Sequence, residues 1–192
     1  MSRTKVKANL IDASFGNILE QIVYYADGGT VATSAGTFTA PNITAMTDVT
    51  SSTFVENTGC AIAYTPPSGA TRVHYESKVM CSYNGTDTHM SPTWYVSLDN
   101  VIINQTKRTE LQQYTYEMNT NTEAIVRIDS GFSNDIANAK LASWGSAKTF
   151  KVFYAGYGTS NYRFKMNGIY HYAGSGAQNI VIPPVIKITA YS

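Results

Sequence analysis

One ten-residue stretch, RVHYESKVMC (residues 72–81), constrains the fold of this chain more than any other. Its side chains alternate with a period of two, which is the period of a β-strand and not that of a helix. The expected inward face carries Val73, Tyr75, Ser77, Val79 and Cys81, and the outward face carries Arg72, His74, Glu76, Lys78 and Met80. The stretch therefore predicts a half-buried antiparallel strand.

Similar patterns recur in short pieces along the rest of the chain, separated by turn residues such as Asn84-Gly85 and Asn167-Gly168. Further strands are predicted at 19–25, 54–64, 111–118, 123–129, 149–154, 162–166 and 186–191. Residues 133–143 are the one stretch that suits a short helical turn. About ten short strands without a convincing amphipathic helix predict an all-β protein, either an antiparallel β-sandwich or a barrel.

A β-hairpin is predicted within PTWYVSLDNVIINQT (residues 92–106). Trp94, Val96 and Leu98 alternate along its first strand. Asp99 and Asn100 both tolerate the left-handed backbone that a tight turn requires. The chain then returns along residues 101–103.

Charge is sparse in this sequence. Charged residues make up 14% of the 192 residues and the net charge is +1, whereas about 25% is usual for a soluble domain. Such a chain has no strong electrostatic field to attract DNA, RNA or an anionic membrane. We therefore expect no nucleic-acid partner.

The residue types that carry catalysis are scattered. His74, His89 and His171 lie far apart and form no metal-ligand spacing. The local signatures of serine hydrolases, nucleotide-binding loops and dinucleotide-binding folds are absent from the sequence. Two open alternatives are a glycosidase or lyase that uses carboxylates among Glu76, Glu117 and Asp129, and a calcium site in the loop 129–135. The favoured expectation is a protein that is not an enzyme and that holds no metal or cofactor.

The two cysteines, Cys60 and Cys81, are too few for a disulfide framework. Cys81 falls on the inward phase of its predicted strand. A buried free thiol is therefore favoured over a single disulfide.

Aromatic residues are the most conspicuous feature that remains, with 14 tyrosines in the chain. The stretch NYRFKMNGIYHY (residues 161–172) places several of them on an expected β-surface. Rings on such a surface supply contact area at low entropic cost, and a tyrosine hydroxyl can bond polar groups. The candidate interface or receptor face consists of Tyr162, Phe164, Tyr170, His171 and Tyr172.

The chain begins with a basic, half-apolar leader, MSRTKVKANLIDASFG. Asp12 interrupts its apolar part, so the leader lacks the core of about 7–15 residues that a secretory signal needs. No stretch approaches the roughly 20 apolar residues of a membrane-spanning helix, so we expect no membrane insertion. The leader is either a docking arm, residues 1–16, in front of a β-sandwich domain, residues 17–192, or an ordinary surface terminus. As an arm it would dock through Arg3, Lys5, Lys7, Leu10, Ile11 and Phe15.

The leader RTKVKANLIDASFG resembles the start of virion structural and tail-fibre-like proteins of marine tailed phages. The body segments YTPPSGATRVHYE, SWGSAK and IPPVIKITA resemble a β-sandwich module of such phages. These matches cover about a quarter of the chain. Related leaders commonly continue as FGRN into an asparagine-rich segment, whereas this chain runs FGNILEQ directly into its first predicted strand.

The resemblance implies a jelly-roll-like sandwich that forms a homotrimer on the virion, as a tail fibre, spike or knob anchored by its arm. Its partners would be further copies of the chain, other tail or capsid proteins and a host surface glycan. Two alternatives remain open: a capsid decoration protein and a lectin-like carbohydrate-binding module.

Overall fold

The computed structural model describes residues 16–83, 89–110, 112–113, 117–156, 163–173 and 176–192. In chain order the strands are β1 (Ile18–Tyr25), β2 (Thr30–Thr33), β3 (Gly36–Thr39), β4 (Thr47–Val49), β5 (Val55–Tyr64), β6 (Arg72–Tyr83), β7 (His89–Met90), β8 (Pro92–Leu98), β9 (Val101–Ile102), β10 (Arg108–Thr109), β11 (Gln112–Gln113), β12 (Glu117–Ile128), β13 (Lys140–Leu141), β14 (Lys148–Gly156), β15 (Phe164–Met166), β16 (Gly168–Ala173), β17 (Gly176–Val181) and β18 (Val185–Tyr191). In the described part of the chain, short 3₁₀ turns occupy Asn104–Thr106 and Ile136–Asn138. The prediction of an all-β protein is confirmed.

The strands form two larger sheets and three two-stranded ones. The larger sheet has the order β1-β18-β6-β12-β13, with β15 and β4 continuing beside the far end of β6. The smaller sheet has the order β10-β8-β14-β5, with β9 paired to β8. The pairs β2–β3, β7–β11 and β16–β17 each form a separate two-stranded sheet. Nearly all of the pairing is antiparallel; β12 with β13 is a short parallel exception to the antiparallel expectation.

Aromatic side chains join the buried faces of the two larger sheets. Tyr75 of β6 stacks on Phe150 of β14 with ring centroids 4.8 Å apart, and its hydroxyl donates to the Cys60 carbonyl oxygen of β5 at 2.7 Å. The Tyr154 hydroxyl of β14 bonds the Thr120 hydroxyl of β12 at 2.7 Å. The two sheets therefore pack face to face, as in a sandwich, and the core lies between them.

Strand β6 follows the predicted alternation. All five residues expected inside are buried, among them Val73, Tyr75 and Cys81, and those on the other phase are at least partly accessible. The strand lies in the middle of the larger sheet between β18 and β12. Its pattern was clear because one face meets the core and the other meets solvent.

The predicted hairpin is also confirmed. β8 and β9 pair through a two-residue loop, and the loop residues Asp99 and Asn100 both have positive φ, 49° and 63°. Positive φ at both positions is the conformation that matches the right-handed twist of the flanking strands. The Asp99 carboxylate accepts bonds from the Thr149 backbone N–H and the Lys148 ammonium, which ties the turn to β14.

The strands differ from the prediction in several regions. No strand was predicted at β2, β3, β4, β7, β10, β13, β16 or β17, and the boundaries also differ between residues 111 and 129. Residues 111–118 and 123–129 were expected as two strands, but Glu117–Ile128 forms the single long strand β12. Its middle reads NTNTE, and the inward positions there are Thr120 and Thr122, which are buried although polar. Thr120 bonds Tyr154 across the core, and Thr122 bonds Ser77 of the neighbouring strand β6. The strand therefore continues where its composition suggested a break. The expected helical turn within 133–143 is present as a 3₁₀ turn at Ile136–Asn138.

Both thiols lie inside the sandwich. Cys60 and Cys81 are fully buried and unbonded to each other, as predicted for free cysteines. Burial raises the pKa of each thiol to about 12. They are therefore core residues with little thiolate at neutral pH.

The two ends of the described body meet. The Asn17 backbone N–H donates to the Ser192 hydroxyl at 3.1 Å, and the Ser192 N–H donates to the Asn17 carbonyl at 2.9 Å. Gly16 has φ +71°, and a Cβ there would collide with the Ser192 carbonyl oxygen. Glycine is therefore required where the leader joins β1.

Candidate interaction surfaces

Residues 1–15 of the predicted docking arm, which include all six of its proposed docking residues, lie outside the described residues, as does Tyr162. Among the other members of the predicted aromatic face, His171 and Tyr172 lie in β16, but their side chains are outside what the structure describes. Tyr170 is half-buried; its ring contacts Tyr83 edge-on and lies 5.6 Å from the Lys165 ammonium.

Phe164 requires a correction. It was placed on a face available to a partner or receptor, but its side chain is fully buried and packs edge-on against Tyr154 in the core. The stretch alternates as expected, with Phe164 and Met166 inside and Lys165 outside. The phase that carries Phe164 points into the sandwich and not towards solvent.

The three carboxylates considered for catalysis are not brought together. Glu76 lies opposite Glu123, near the middle of β12, whereas Glu117 is at the start of that strand and Asp129 follows its end. Six residues separate Glu123 from each, which is about 20 Å along an extended strand. The Asp129 and Asp135 carboxylates instead accept backbone N–H bonds within their own loop. No group of three or more potential metal ligands occurs among the described residues.

A charged cluster occupies the outward face of the larger sheet. His74 of β6 lies between two carboxylates: its Nδ1 is 3.8 Å from Glu76 and its Nε2 is 3.5 Å from Glu123. The Lys187 ammonium contacts Glu76 at 2.7 Å, and this bond is the main reason that the pKa of Lys187 is raised. Glu123 comes from β12 and was not expected in the group, because only the strand register places it beside His74.

Strand β1 exposes apolar side chains at the edge of the larger sheet. Ile18, Leu19, Val23 and Tyr25 are all exposed, with Val23 at 51% and Tyr25 at 58% of their full accessible surface. The strand is eight residues long and pairs only with β18 within the larger sheet. A long apolar edge strand is usually covered in native proteins, because its open side can pair with another chain.

A second surface lies on the outward face of the smaller sheet. Tyr95 of β8 sits between two other rings, with its centroid 4.7 Å from Phe54 and 5.1 Å from Phe153 of β14. Phe54 and Tyr95 line a groove of about 440 Å³ together with Thr93, Lys107, Arg108 and Thr109. Partial burial raises the pKa of the Tyr95 hydroxyl. We call this surface the Tyr95 groove.

The sequence contained part of the signal for the Tyr95 groove. Because Trp94 and Val96 were expected inside, Tyr95 had to point outward, and the basic pair Lys107-Arg108 follows the hairpin directly. What was missing was the position of Phe54 and Phe153, which the strand pairing brings to the same face.

A larger cavity of about 500 Å³ combines residues from both faces of the larger sheet with Trp94 and Arg108 of the smaller one. Its charged lining residues are three cations, Lys78, Arg108 and Lys187, and two carboxylates, Glu76 and Glu123. These charges largely offset one another, so the cavity favours no ligand of one sign.

No protein-family model matches this chain, and no curated protein matches it. Within the described residues, no helix has the length and apolar character needed to cross a membrane.

Proposed function

We propose that this chain is a non-enzymatic structural protein of a tailed-phage virion, and that it works as a homotrimer at the particle surface. The part that it plays would be that of a tail fibre, spike or knob. The resemblance of the leader and of three body segments to virion proteins supports the location. The separation of the three candidate carboxylates, Glu76 on β6, Glu117 at the start of β12 and Asp129 after its end, favours a role in binding over a role in hydrolysis.

The observation that carries the assembly proposal is the edge strand β1. Its exposed Val23 and Tyr25 would gain about 25 cal/mol for each Å² of apolar surface that a neighbouring copy covers. The leader also enters the body at the start of β1, beside Ser192. An arm that leaves from an interface strand can reach a neighbouring copy or the particle without crossing the sandwich.

We further propose that the sandwich has jelly-roll topology. The support is its nested strand pairing: β1 pairs with β18, β5 with β14, β6 with β12 and β8 with β10. Among these eight strands the first therefore pairs with the last, the second with the seventh, and so on inward. Two four-stranded antiparallel sheets connected in this way are typical of jelly rolls, a fold common in viral proteins.

Light scattering on the purified full chain tests the assembly. The expected mass is about three times the 21.0 kDa of one chain. The double variant Val23→Lys/Tyr25→Lys should give single chains with an unchanged circular dichroism spectrum. Ile180→Lys is the matched control, because Ile180 is 47% exposed on β17, outside the larger sheet. A wild-type monomer would refute the trimer, and a double variant that stays trimeric would refute β1 as its interface.

Removal of the residues before Gly16 tests the arm. The truncated chain should fold, because its contacts with Ser192 begin at Gly16 and Asn17. It should be missing from assembled particles, whereas the full chain is incorporated. Efficient incorporation of the truncated chain would refute the anchoring role, and imaging of labelled particles would separate a tail position from a capsid position.

A further inference from the structure

The Tyr95 groove presents a fixed aromatic surface. Tyr95 is held between Phe54 and Phe153, with the Phe153 ring inclined by only 22° to it. Phe54 remains 40% exposed. Rings that neighbours already hold in place lose little conformational freedom when a ligand packs on them.

Basic and hydroxyl side chains surround this aromatic surface. Lys107 and Arg108 line the groove, and none of the described residues that line it is acidic. The Arg108 Nη1 donates to the carbonyl oxygens of Gln105 and Lys107 at 3.1 and 3.0 Å, which fixes the position of the guanidinium. The Thr93 and Thr109 hydroxyls lie 3.0 Å apart and provide further donors and acceptors.

This combination selects a class of ligand. The apolar face of a sugar ring, which presents C–H groups, can pack on an aromatic side chain. Threonine hydroxyls can form hydrogen bonds with sugar hydroxyls. A carboxylate pairs with arginine through short, charge-assisted hydrogen bonds. The groove volume of about 440 Å³ lies in the usual range for a small-molecule site.

We propose that the Tyr95 groove binds an acidic saccharide, meaning a glycan with a carboxylate-bearing residue such as a uronic or sialic acid. The sugar ring would pack against Phe54 and Tyr95, and its carboxylate would pair with Arg108 and Lys107. The inference rests on the proposed virion-surface role, because it names the chemistry of the host ligand that such a protein would contact.

A second copy of the chain fits this groove less well. A symmetric contact between two Tyr95 grooves would bring Lys107 and Arg108 against the same cations of the partner, and like charges in contact are unfavourable. The assembly surface proposed at β1 belongs to the other sheet. The groove can therefore stay accessible in the trimer.

Isothermal titration of the full chain tests the site. The probes are an oligouronate trisaccharide and sialyllactose, with lactose as the neutral control. At least one acidic probe should bind at least tenfold more tightly than lactose, and its affinity should fall as salt is raised. Lys107→Gln/Arg108→Gln should weaken that binding at least tenfold, and Phe54→Ala should weaken it several-fold. Lys78→Gln, on the outward side of β6, should leave it unchanged.

Several results would overturn the proposal: no acidic probe binds at millimolar concentration, lactose binds equally well, or the Lys107/Arg108 double variant binds like the wild type. Tighter binding of a sulfated saccharide or of a single-stranded oligonucleotide would also refute the assignment to a carboxylate-bearing glycan. Each variant's thermal melt and light-scattering mass are recorded to exclude misfolding. A trimer that binds no glycan refutes this inference alone, whereas a monomer that binds one refutes only the proposed assembly.

Discussion

Two tyrosine hydroxyls cross the core and bond carbonyl oxygens of β5, and their removal gives a matched pair of tests. The pairing of β5 with β14 is interrupted between Asn57 and Ile62. Within that interval the Tyr75 hydroxyl donates to the Cys60 carbonyl at 2.7 Å, and the Tyr24 hydroxyl donates to the Ala61 carbonyl at 3.4 Å. The tyrosines thus satisfy carbonyls in the irregular part of the strand.

Tyr75→Phe keeps the ring that stacks on Phe150 and deletes one oxygen. The Cys60 carbonyl then loses a short bond deep in the core, which should lower the free energy of unfolding by about 2 kcal/mol. Tyr24→Phe removes a long, partly buried bond and should cost about 0.5 kcal/mol. With a denaturant slope of about 2 kcal/mol/M, the urea midpoints should fall by about 1 M and about 0.25 M.

Urea unfolding followed by circular dichroism measures both variants beside the wild type. The concentration is kept where light scattering shows one oligomeric state, because assembly adds to apparent stability. Equal midpoints for the two variants would refute the reasoning, since they would mean that the Cys60 carbonyl does not depend on the Tyr75 hydroxyl. A change in slope would point to an altered unfolded or native state instead.

Three further predictions follow from the turn and the thiols. Asn100→Ala should lower the free energy of unfolding by about 1 kcal/mol because alanine disfavours positive φ, whereas Asn100→Gly should cost nothing; equal urea midpoints would contradict this. Cys60 and Cys81 should be unreactive to a thiol reagent in the native protein and both reactive in urea, so rapid native labelling would show that they are not core residues. Because burial raises the pKa of both thiols in the folded state from the ordinary 9.0 to about 12, their contribution to stability is complete below pH 9 and is lost as pH rises towards 12. A urea midpoint that stays constant from pH 8 to 11 would contradict this.

Sequence patterns predicted the fold best where one face of a strand is buried and the other is exposed to solvent. β6 and the β8–β9 hairpin are of this kind, and both were predicted closely. The pattern was misleading at β12, where Thr120 and Thr122 are polar but buried. Their hydroxyls form hydrogen bonds with the hydroxyls of Tyr154 and Ser77. A single sequence cannot show that a threonine has a buried partner more than thirty residues away.

The surfaces were less predictable for the same reason. Phe164 was assigned to an exposed face because alternation gives the two phases of a strand but not which of them meets the core. The Tyr95 groove needs Phe54, Tyr95 and Phe153 from separate segments, and only the β5–β14–β8 pairing brings these rings together. The edge position of β1 likewise depends on its pairing with β18, the last strand of the chain.

The distribution of charge separates the two proposed surfaces. Several of the acids in the described residues are already paired with lysines, and these ion pairs are Lys148–Asp99, Lys151–Glu56, Lys165–Asp48 and Lys187–Glu76. Lys107 and Arg108 form no ion pair with a described residue and share one groove. The net charge of the chain is only +1, so it attracts anions weakly. The local excess of positive charge at Lys107 and Arg108 attracts them specifically to the groove. Binding at the Tyr95 groove should therefore depend on salt, whereas assembly through apolar β1 should persist at high salt.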